Sequence, residues 1–444
     1  MGRCAVSTQK QKRPFALRAL AAFAGTLAIL FGLLLAAYAL PGERVRQHVY
    51  DSARTIQNEG LYPEYLGFKL FQMDNYTDTL MLFEAASADE LPPLQAMMTN
   101  TAYNVDNFET LADDLAWYIE KDWSTGAQRT DAPALEPFSY ARYWHGYLIW
   151  LRPLLLLMPY TGVRIVQYIV LFALLAVVLV RLRRRCGLRT AVWFAVSQLA
   201  VSVWFVPHQV QYFTCFMIAY AGCVWVLAKP RRSDVLCLGL LVLGTVTAFC
   251  DLLVTPIITL GLPLTCWLLE PQQRLRGGVP QCALAVGGSL CWGTGYALCW
   301  AGKWALAGAV TGNNVLADAL HQAEVRTTAD TWHGMELTWR NIFIFLYDTL
   351  NSRHLFWPAL AVLAVLIALF ILSIRSKTAL VRALPLALTT CMTPAWFVLL
   401  RTHSIQHGWF TWRALGLTVF AGLAFLYYAC DLRAARRRLQ KGSI

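Results

Sequence analysis

Charged side chains are scarce in this 444-residue chain. Asp, Glu, Lys and Arg make up 14% of the residues, against roughly 25% in soluble domains, whereas 57% of the residues are hydrophobic. A soluble fold has too little interior to bury that much apolar surface. The composition therefore excludes a wholly soluble protein and indicates that a lipid bilayer is the solvent for much of the chain.

The signature motifs of nucleotide-driven transport and of the common soluble hydrolases are missing. The sequence has no P-loop, no Rossmann glycine pattern, no GxSxG elbow and no HExxH. Its twelve cysteines avoid the long polar segments and form no CxxC pair. Neither a disulfide framework nor a cysteine metal centre is predicted.

Ten apolar runs are candidates for transmembrane helices, which need about 20 mostly apolar residues. They are residues 16–40, 163–180, 190–206, 211–228, 234–250, 252–269, 280–300, 355–374, 380–400 and 411–430. The predicted fold is an all-α integral membrane protein, a single polytopic domain over 1–444. The first run ends in Ala37, Tyr38 and Ala39, which resembles a signal-peptidase site, but its length favours a retained anchor.

Acids and histidines are missing from one set of connections, and this sets the predicted orientation. The N-terminus, every second connection and the C-terminal tail together hold 23 of the 38 Lys and Arg but only three of the 26 acids, Asp234, Glu270 and Asp431. None of the eight histidines lies there. The positive-inside rule makes these segments and both termini cytoplasmic. The net charge of +12 thus reports membrane topology, and nucleic acid is not an expected partner.

Two connections on the predicted extracytoplasmic side are long, residues 41–162 and 301–354. The first is too long for a passive connector and should fold. Helices lying on the membrane surface are expected within it, for example over 80–86 and 108–119. The apolar stretch 147–160 is interpreted as an interfacial or re-entrant helix, because Arg152 and Pro153 interrupt it.

The strongest candidate for chemistry is a pair of acids in the first long loop. Asp74 and Asp78 are four residues apart, so on a helix they share a face. Two carboxylates that lie close together repel unless a proton, a cation or a metal reduces the repulsion. Such a pair suits a general base or a metal site. The alternative is that Asp74 is only the N-cap of a helix that begins there.

A second candidate is the turn between the last two predicted spans. His403 and His407 have the i, i+4 spacing of a shared metal or phosphate site, and Arg401 and Arg413 flank them. Because arginine grips phosphate with two parallel hydrogen bonds, the four side chains favour an anionic lipid head group. The alternative is ordinary anchoring at the membrane interface. Asp74, Asp78, His403 and His407 are the candidate metal ligands, with none assigned firmly.

Four further residues are candidates for substrate binding. Asp251 lies between two apolar runs, at a depth where an ionisable group is expensive, although it could equally cap a helix. Arg142 and His145 lie in a basic, aromatic segment that could hold a lipid phosphate or anchor a helix. Lys303 follows the motif that runs from Trp292 to Tyr296, whose small residues predict close helix packing.

This arrangement resembles the GT-C class of membrane glycosyltransferases. That class has a polytopic helical core and a large first outer loop with interfacial helices and an acidic motif just after the first span. Here the Asp74 and Asp78 pair follows the first span by about 34 residues. The family often has adjacent acids, whereas these two are separated by three residues.

The resemblance implies transfer of a sugar from a polyprenyl-phosphate donor to a cell-envelope glycan, lipid or protein, on the extracytoplasmic face of the plasma membrane. Asp74 or Asp78 would be the base, and Arg401, His403, His407 and Arg413 would neutralise the departing lipid phosphate. A divalent metal, Mg²⁺ or Mn²⁺, is compatible with this chemistry and not required by it. The alternatives are a transporter or flippase of a lipid-linked or anionic substrate, a membrane acyltransferase, and an envelope-assembly component without chemistry.

Overall fold

The computed structural model describes residues 14–103, 137–276, 278–328, 331–332, 335–351, 354, 356–431 and 433. Almost all of its regular structure is helical, as predicted. The α-helices are α1 Phe15–Tyr38, α2 Glu43–Glu59, α3 Asn75–Ser87, α4 Pro93–Thr99, α5 Leu148–Leu155, α6 Tyr160–Cys186, α7 Leu188–Ala200, α8 Val210–Ala228, α9 Ser233–Cys250, α10 Ile257–Leu268, α11 Pro271–Arg274, α12 Gly278–Thr311, α13 Val315–Thr328, α14 Ile344–Asn351, α15 Phe356–Ser373, α16 Lys377–Leu399, α17 Arg401–Gln406, α18 Gly408–Thr411 and α19 Leu415–Ala429.

Short strands form two small antiparallel pairs in the long loops. Strand β1 (Thr101–Tyr103) pairs with β2 (Pro137–Ser139), with Thr101 opposite Ser139. Strand β3 (Thr331–Trp332) pairs with β4 (Met335–Glu336). Two- and three-residue strands pin loops together but contribute little of the core.

Within the described residues, eight helices are long and apolar enough to cross a membrane. They are α1, α6, α8, α9, α12, α15, α16 and the final composite helix Gly408–Ala429. Each coincides with a predicted run. A multi-pass membrane protein is therefore supported, while the count of ten spans stays a prediction, because the runs 190–206 and 252–269 form shorter helices.

The runs 190–206 and 252–269 both form helices shorter than a membrane span, but their surroundings differ. The first forms the 13-residue α7, which is followed by the 3-10 turn Val203–His208. The second forms the 12-residue α10, and every one of its residues is buried. A helix that is apolar all round and covered all round is a core helix rather than a lipid-facing one.

The contacts divide the helical bundle into two ends. At one, which we call the basic end, Arg18 pairs with Asp234 at 2.9 Å and Arg185 pairs with Glu270 at 2.8 Å. At the other, the loop end, Gly146 N–H donates to the Phe249 carbonyl at 2.8 Å. The alternate basic connections therefore meet at one end. The side of the membrane that this end faces stays a prediction.

The first long loop packs into the bundle instead of covering it. The segment 80–86, expected at the membrane surface, belongs to α3, and most of it is buried in the protein. The segment 108–119 lies outside the described residues. The stretch 147–160 contains α5, only eight residues long, in which buried Arg152 donates to the Ala85 carbonyl at 2.5 Å and the Leu40 carbonyl at 2.6 Å. Arg152 thereby joins the first loop to the end of α1.

Close approach of α9 and α12 depends on glycine. A Cβ at Gly295 would lie 2.2 Å from the Leu241 carbonyl oxygen, which is rigid helix backbone. Gly293, two residues earlier, has nothing within 4 Å. The predicted packing role of this motif thus belongs to Gly295 and not to Gly293.

We expect Gly295→Ala to destabilise the protein by about 1–3 kcal/mol, because the extra methyl group forces the two helices apart. Gly293→Ala is the matched control, which adds the same methyl group to open space. Thermal unfolding in detergent measures both variants. Equal melting temperatures for the two would contradict this account of the helix crossing.

Candidate functional site

Asp74 is the N-cap of α3. One carboxylate oxygen accepts the Thr77 backbone N–H at 2.9 Å and the other accepts the Thr77 hydroxyl at 2.7 Å. The side chain is buried, and burial raises the pKa of this carboxyl above its ordinary value. The capping interpretation of Asp74 is confirmed, and both of its oxygens have partners within the protein.

Asp78 lies one turn further along, against the first residues of α8. Its Oδ2 accepts a hydrogen bond from the Tyr160 hydroxyl and lies 3.3 Å from the Val210 backbone nitrogen. Burial raises the pKa of Asp78 to about 7, although the Tyr160 hydroxyl and the Arg164 charge oppose that rise. The carboxyl thus lies at the positive end of a long helix, poised between its two protonation states near neutral pH.

A polar layer that sequence spacing could not reveal supports the two acids. The Arg164 guanidinium donates two hydrogen bonds, of 2.5 and 2.8 Å, to the Glu59 carboxylate. Asn75 donates to Glu59 at 3.1 Å and accepts from Gln209 at 2.8 Å. Burial alone would raise the pKa of Glu59, but its bonds to His208 and Arg164 lower it to about 2. Three separate parts of the chain build this layer, so no local motif signals it.

We expect the melting temperature of the wild type, measured relative to that of Asp78→Asn, to rise as the pH falls from about 7 toward 4. With its folded-state pKa raised to about 7, Asp78 holds a proton over this interval that the unfolded chain releases, so acidification favours the folded state. The amide oxygen of Asn can still accept from Tyr160. Asp348→Asn, at an exposed position, is the control. The same pH dependence in wild type and Asp78→Asn would contradict the assignment.

Of the two histidines of the last turn, His403 is buried and His407 is half-buried. His403 donates from Nε2 to the Leu253 carbonyl at 2.9 Å, and its Nδ1 has no partner in the described part of the chain. Burial lowers the pKa of His403 well below its ordinary value, and burial together with the nearby Arg326 charge lowers that of His407 to about 4. Lowered pKa values favour uncharged imidazoles at neutral pH, and the role expected of these histidines at a lipid phosphate stays a prediction.

The acids and the histidines do not meet. The Phe410 ring lies between them, 5.1 Å from the His407 ring and 6.0 Å from the Tyr212 ring. Among the described residues, no three His, Cys, Asp or Glu side chains come together as a possible metal site. Asp74, Asp78, His403 and His407 therefore do not form the shared metal centre that the sequence allowed.

The two arginines of the last turn point to different surroundings. Arg401 lies 5.5 Å from the centre of the Trp339 ring. Arg413 is buried, 4.6 Å from the centre of the Tyr212 ring, and donates to the Leu70 carbonyl at 3.3 Å. Arg413 thus ties the last helix to the first long loop.

His145 and Lys303 are held inside the protein. His145 Nδ1 lies 2.6 Å from Glu84 Oε2, and its Nε2 lies 3.0 Å from the Tyr140 carbonyl oxygen. The ammonium group of Lys303 donates to the Met97 carbonyl at 2.7 Å and to Asn100 Oδ1 at 2.6 Å. Lys303 fastens the first loop to the bundle, whereas His145 joins two parts of that loop. These contacts support a structural role for both residues rather than the predicted substrate contact.

A cavity of about 110 Å³ lies where the two long loops meet. We call it the arginine–aromatic pocket. The polar and aromatic side chains that line it are Arg142, Tyr143, Tyr296, Trp300, Trp304, Gln322, Arg326, Thr327 and Trp396. Arg326 donates to the Tyr143 hydroxyl at 2.7 Å, and Arg142 lies 4.6 Å from the centre of the Tyr140 ring. Of the predicted substrate-binding residues, Arg142 is the one that lines this pocket.

Sequence reasoning missed Arg326. The signal was present, because Ala319, Gln322, Ala323 and Arg326 all line the pocket and follow the i, i+3, i+4, i+7 spacing of one helix face. Half of the residues of the helix α13 that carries them are polar, so hydropathy did not distinguish that face.

Asp251 lies directly behind this pocket. It follows α9 and accepts the Val254 N–H with both carboxylate oxygens, at 3.2 and 3.1 Å. Leu253, two residues on, lines the pocket and has a positive φ of 70°. Burial raises the pKa of Asp251 to about 6. Asp251 is thus both a turn-capping residue and a buried carboxylate beside a cationic pocket.

Protein-family models, curated proteins and solved structures were compared with the chain, and none matches it significantly.

Proposed function

We propose that this protein is a membrane glycosyltransferase that takes a sugar from a polyprenyl-phosphate carrier and transfers it to a cell-envelope acceptor. The observation that carries the proposal is the arginine–aromatic pocket. It places Arg326, and Arg142 with its ion-pair partner Asp318 at 3.4 Å, beside a wall of Tyr and Trp side chains at the loop end of an apolar helical bundle. An amphipathic phosphate would satisfy both the basic and the apolar parts of such a pocket.

The chemistry of the pocket suits a lipid phosphate. Guanidinium groups bind phosphate oxygens with paired, charge-assisted hydrogen bonds. Tyr and Trp are the residues that favour the boundary between hydrocarbon and water. A cavity of about 110 Å³ holds the head group alone, so the isoprenoid chain of the carrier stays in the bilayer.

In this proposal the acceptor hydroxyl loses its proton to a carboxylate while its oxygen bonds to the anomeric carbon of the sugar. The bond from that carbon to the phosphate oxygen breaks, and Arg142 and Arg326 stabilise the charge left on the lipid phosphate. Asp251 is the first candidate base, because it lies behind the pocket and its pKa of about 6 leaves it mostly ionised at neutral pH. Asp78 is the second. The proposed location is the cell membrane, with the loop end facing away from the cytoplasm.

One observation favours a transporter as a second candidate. Between α9 and α10 the chain is not helical over 251–256, and Asp251, Val254 and Thr255 are buried there. Broken helices with buried polar groups at membrane depth are common in transporter binding sites.

Radiolabelled sugar on a polyprenyl-phosphate carrier, reconstituted in proteoliposomes with envelope extract as acceptor, separates the two functions. The transferase predicts label in product, with transfer reduced in Asp251→Asn or Asp78→Asn and retained in Asp74→Asn if that residue serves only as a cap. The variant His403→Ala tests whether the turn between the last two predicted spans contributes to sugar transfer. If the labelled sugar stays on its carrier and the intact carrier crosses the bilayer, the protein is a transporter and not a transferase.

A further inference from the structure

The basic end of the bundle contains a second cavity, of about 340 Å³. The ends of α10 and α19 and the beginnings of α12 and α16 enclose it, together with α11. Three arginines line it, Arg274, Arg375 and Arg382, and none of its lining side chains in the described part of the chain is acidic. Like charges gathered without a carboxylate repel one another, so the cavity is electrostatically prepared for an anion.

The same cavity contains the N-terminus of a long helix. Ser376 caps the 23-residue α16, and its hydroxyl accepts the Ala379 N–H at 3.1 Å. Thr378 and Ala379, in the first turn, line the cavity. The backbone N–H groups of a helix N-terminus carry partial positive charge and bind phosphate readily. The helix N-terminus and the arginines therefore both favour binding of an anion in this cavity.

Two of the arginines are held in place by the protein. Arg274 donates to the Tyr428 hydroxyl at 2.5 Å and lies 4.9 Å from the centre of that ring. Arg375 donates to the Cys430 carbonyl. Arg382 is exposed. Two fixed guanidinium groups and one adaptable group resemble a site built for a ligand more than a diffuse basic surface.

A buried side-chain amide further restricts the class of ligand that fits this cavity. Gln281 donates to the Gln273 carbonyl at 3.0 Å, and its Oε1 is buried without a hydrogen-bond partner within the described residues. Gln281 also lines the cavity. An unpartnered acceptor beside an anion site fits a group that carries both a phosphate and a hydroxyl.

We propose that this cavity binds a hydroxyl-bearing phosphate group. It lies at the opposite end of the bundle from the arginine–aromatic pocket and is independent of the function proposed for that pocket. The phosphate could belong to the head group of an anionic membrane lipid or be free in solution. Basic pockets between transmembrane helices at the cytoplasmic side are typical lipid head-group sites, which is why the lipid is the expected source.

The test measures retention of phosphatidylglycerol by the purified full-length protein, by native mass spectrometry and by thermal shift. The triple variant Arg274→Gln, Arg375→Gln, Arg382→Gln is expected to lose at least about tenfold in affinity. The matched control is Arg183→Gln, Lys229→Gln, Arg232→Gln, which removes the same charge from the same end but outside the cavity. The single variant Arg382→Gln, at an exposed position, serves if the triple variant does not fold, with a smaller loss expected.

Inorganic phosphate that displaces the lipid at millimolar concentration would support the site and identify a free anion as its ligand. Displacement only by phosphatidylglycerol and not by phosphatidylcholine would support the site and identify the lipid. Equal losses in the cavity and control triple variants, or no loss in the cavity variants, would overturn the proposal.

Discussion

Replacing Arg326 by Gln is expected to weaken binding of a polyprenyl phosphate on the order of 100-fold. Removing one member of a desolvated charge pair typically costs about 2–5 kcal/mol, and every 1.4 kcal/mol is about a factor of ten. In the proposed complex this pair consists of Arg326 and the lipid phosphate, because Arg326 lines the arginine–aromatic pocket, where it also donates to the Tyr143 hydroxyl. Gln keeps a polar side chain there but neither the charge nor the paired donors.

The control for this prediction is Arg340→Gln, at an exposed position of the same long loop. Binding of a spin-labelled or fluorescent polyprenyl phosphate in nanodiscs gives the affinity directly. Arg326→Lys separates charge from geometry, because lysine restores the charge without the planar fork. Equal affinities for Arg326→Gln and Arg340→Gln would remove the pocket from the proposed mechanism.

Replacing Asp251 by Asn is expected to lower the turnover of sugar transfer by about 10²- to 10⁴-fold, the usual contribution of a general base. In the wild type, the rate is expected to fall as the pH drops through about 6. Burial raises the pKa of Asp251 to about 6, so the carboxylate takes up a proton in this interval and can no longer accept one from the acceptor hydroxyl.

The direction of its pH dependence distinguishes this loss of activity from unfolding. A carboxyl whose folded-state pKa is raised binds its proton more tightly in the folded state than in the unfolded chain. Its protonation therefore favours folding as the pH falls toward about 4. Activity and the contribution of this group to stability should change in opposite directions. If Asp78→Asn abolishes transfer and Asp251→Asn does not, the base is Asp78.

Hydropathy predicted the membrane-spanning framework because apolar length is a local property of the sequence. It placed α1, α8 and α9 within two residues of their bounds, whereas α6 continues six residues beyond the predicted end. It also predicted a span over 252–269, where α10 is only 12 residues long and wholly buried, because apolar composition alone does not distinguish a helix buried in protein from one that faces lipid. It also placed 80–86 at the membrane surface, because packing of α3 against the bundle depends on distant residues.

The site was less accessible to sequence reasoning for the same physical reason. Asp74 was recognised as a possible N-cap because capping is local. The partners of Asp78 lie on α6 and α8, more than 80 residues away, and the arginine–aromatic pocket joins Arg142 of one loop to Arg326 of the other. The lowered pKa values of His403 and His407 follow first from burial, which a motif of two histidines and two arginines does not reveal.

The most direct test of the central claim is photo-cross-linking with a polyprenyl phosphate that carries a photoactivatable group near its phosphate, followed by peptide mapping. The account predicts labelled peptides that contain Arg142 and Tyr143 or lie around Arg326, and loss of that label in Arg326→Gln. Label spread over the lipid-facing helices, or confined to the basic end and unchanged in Arg326→Gln, would contradict it.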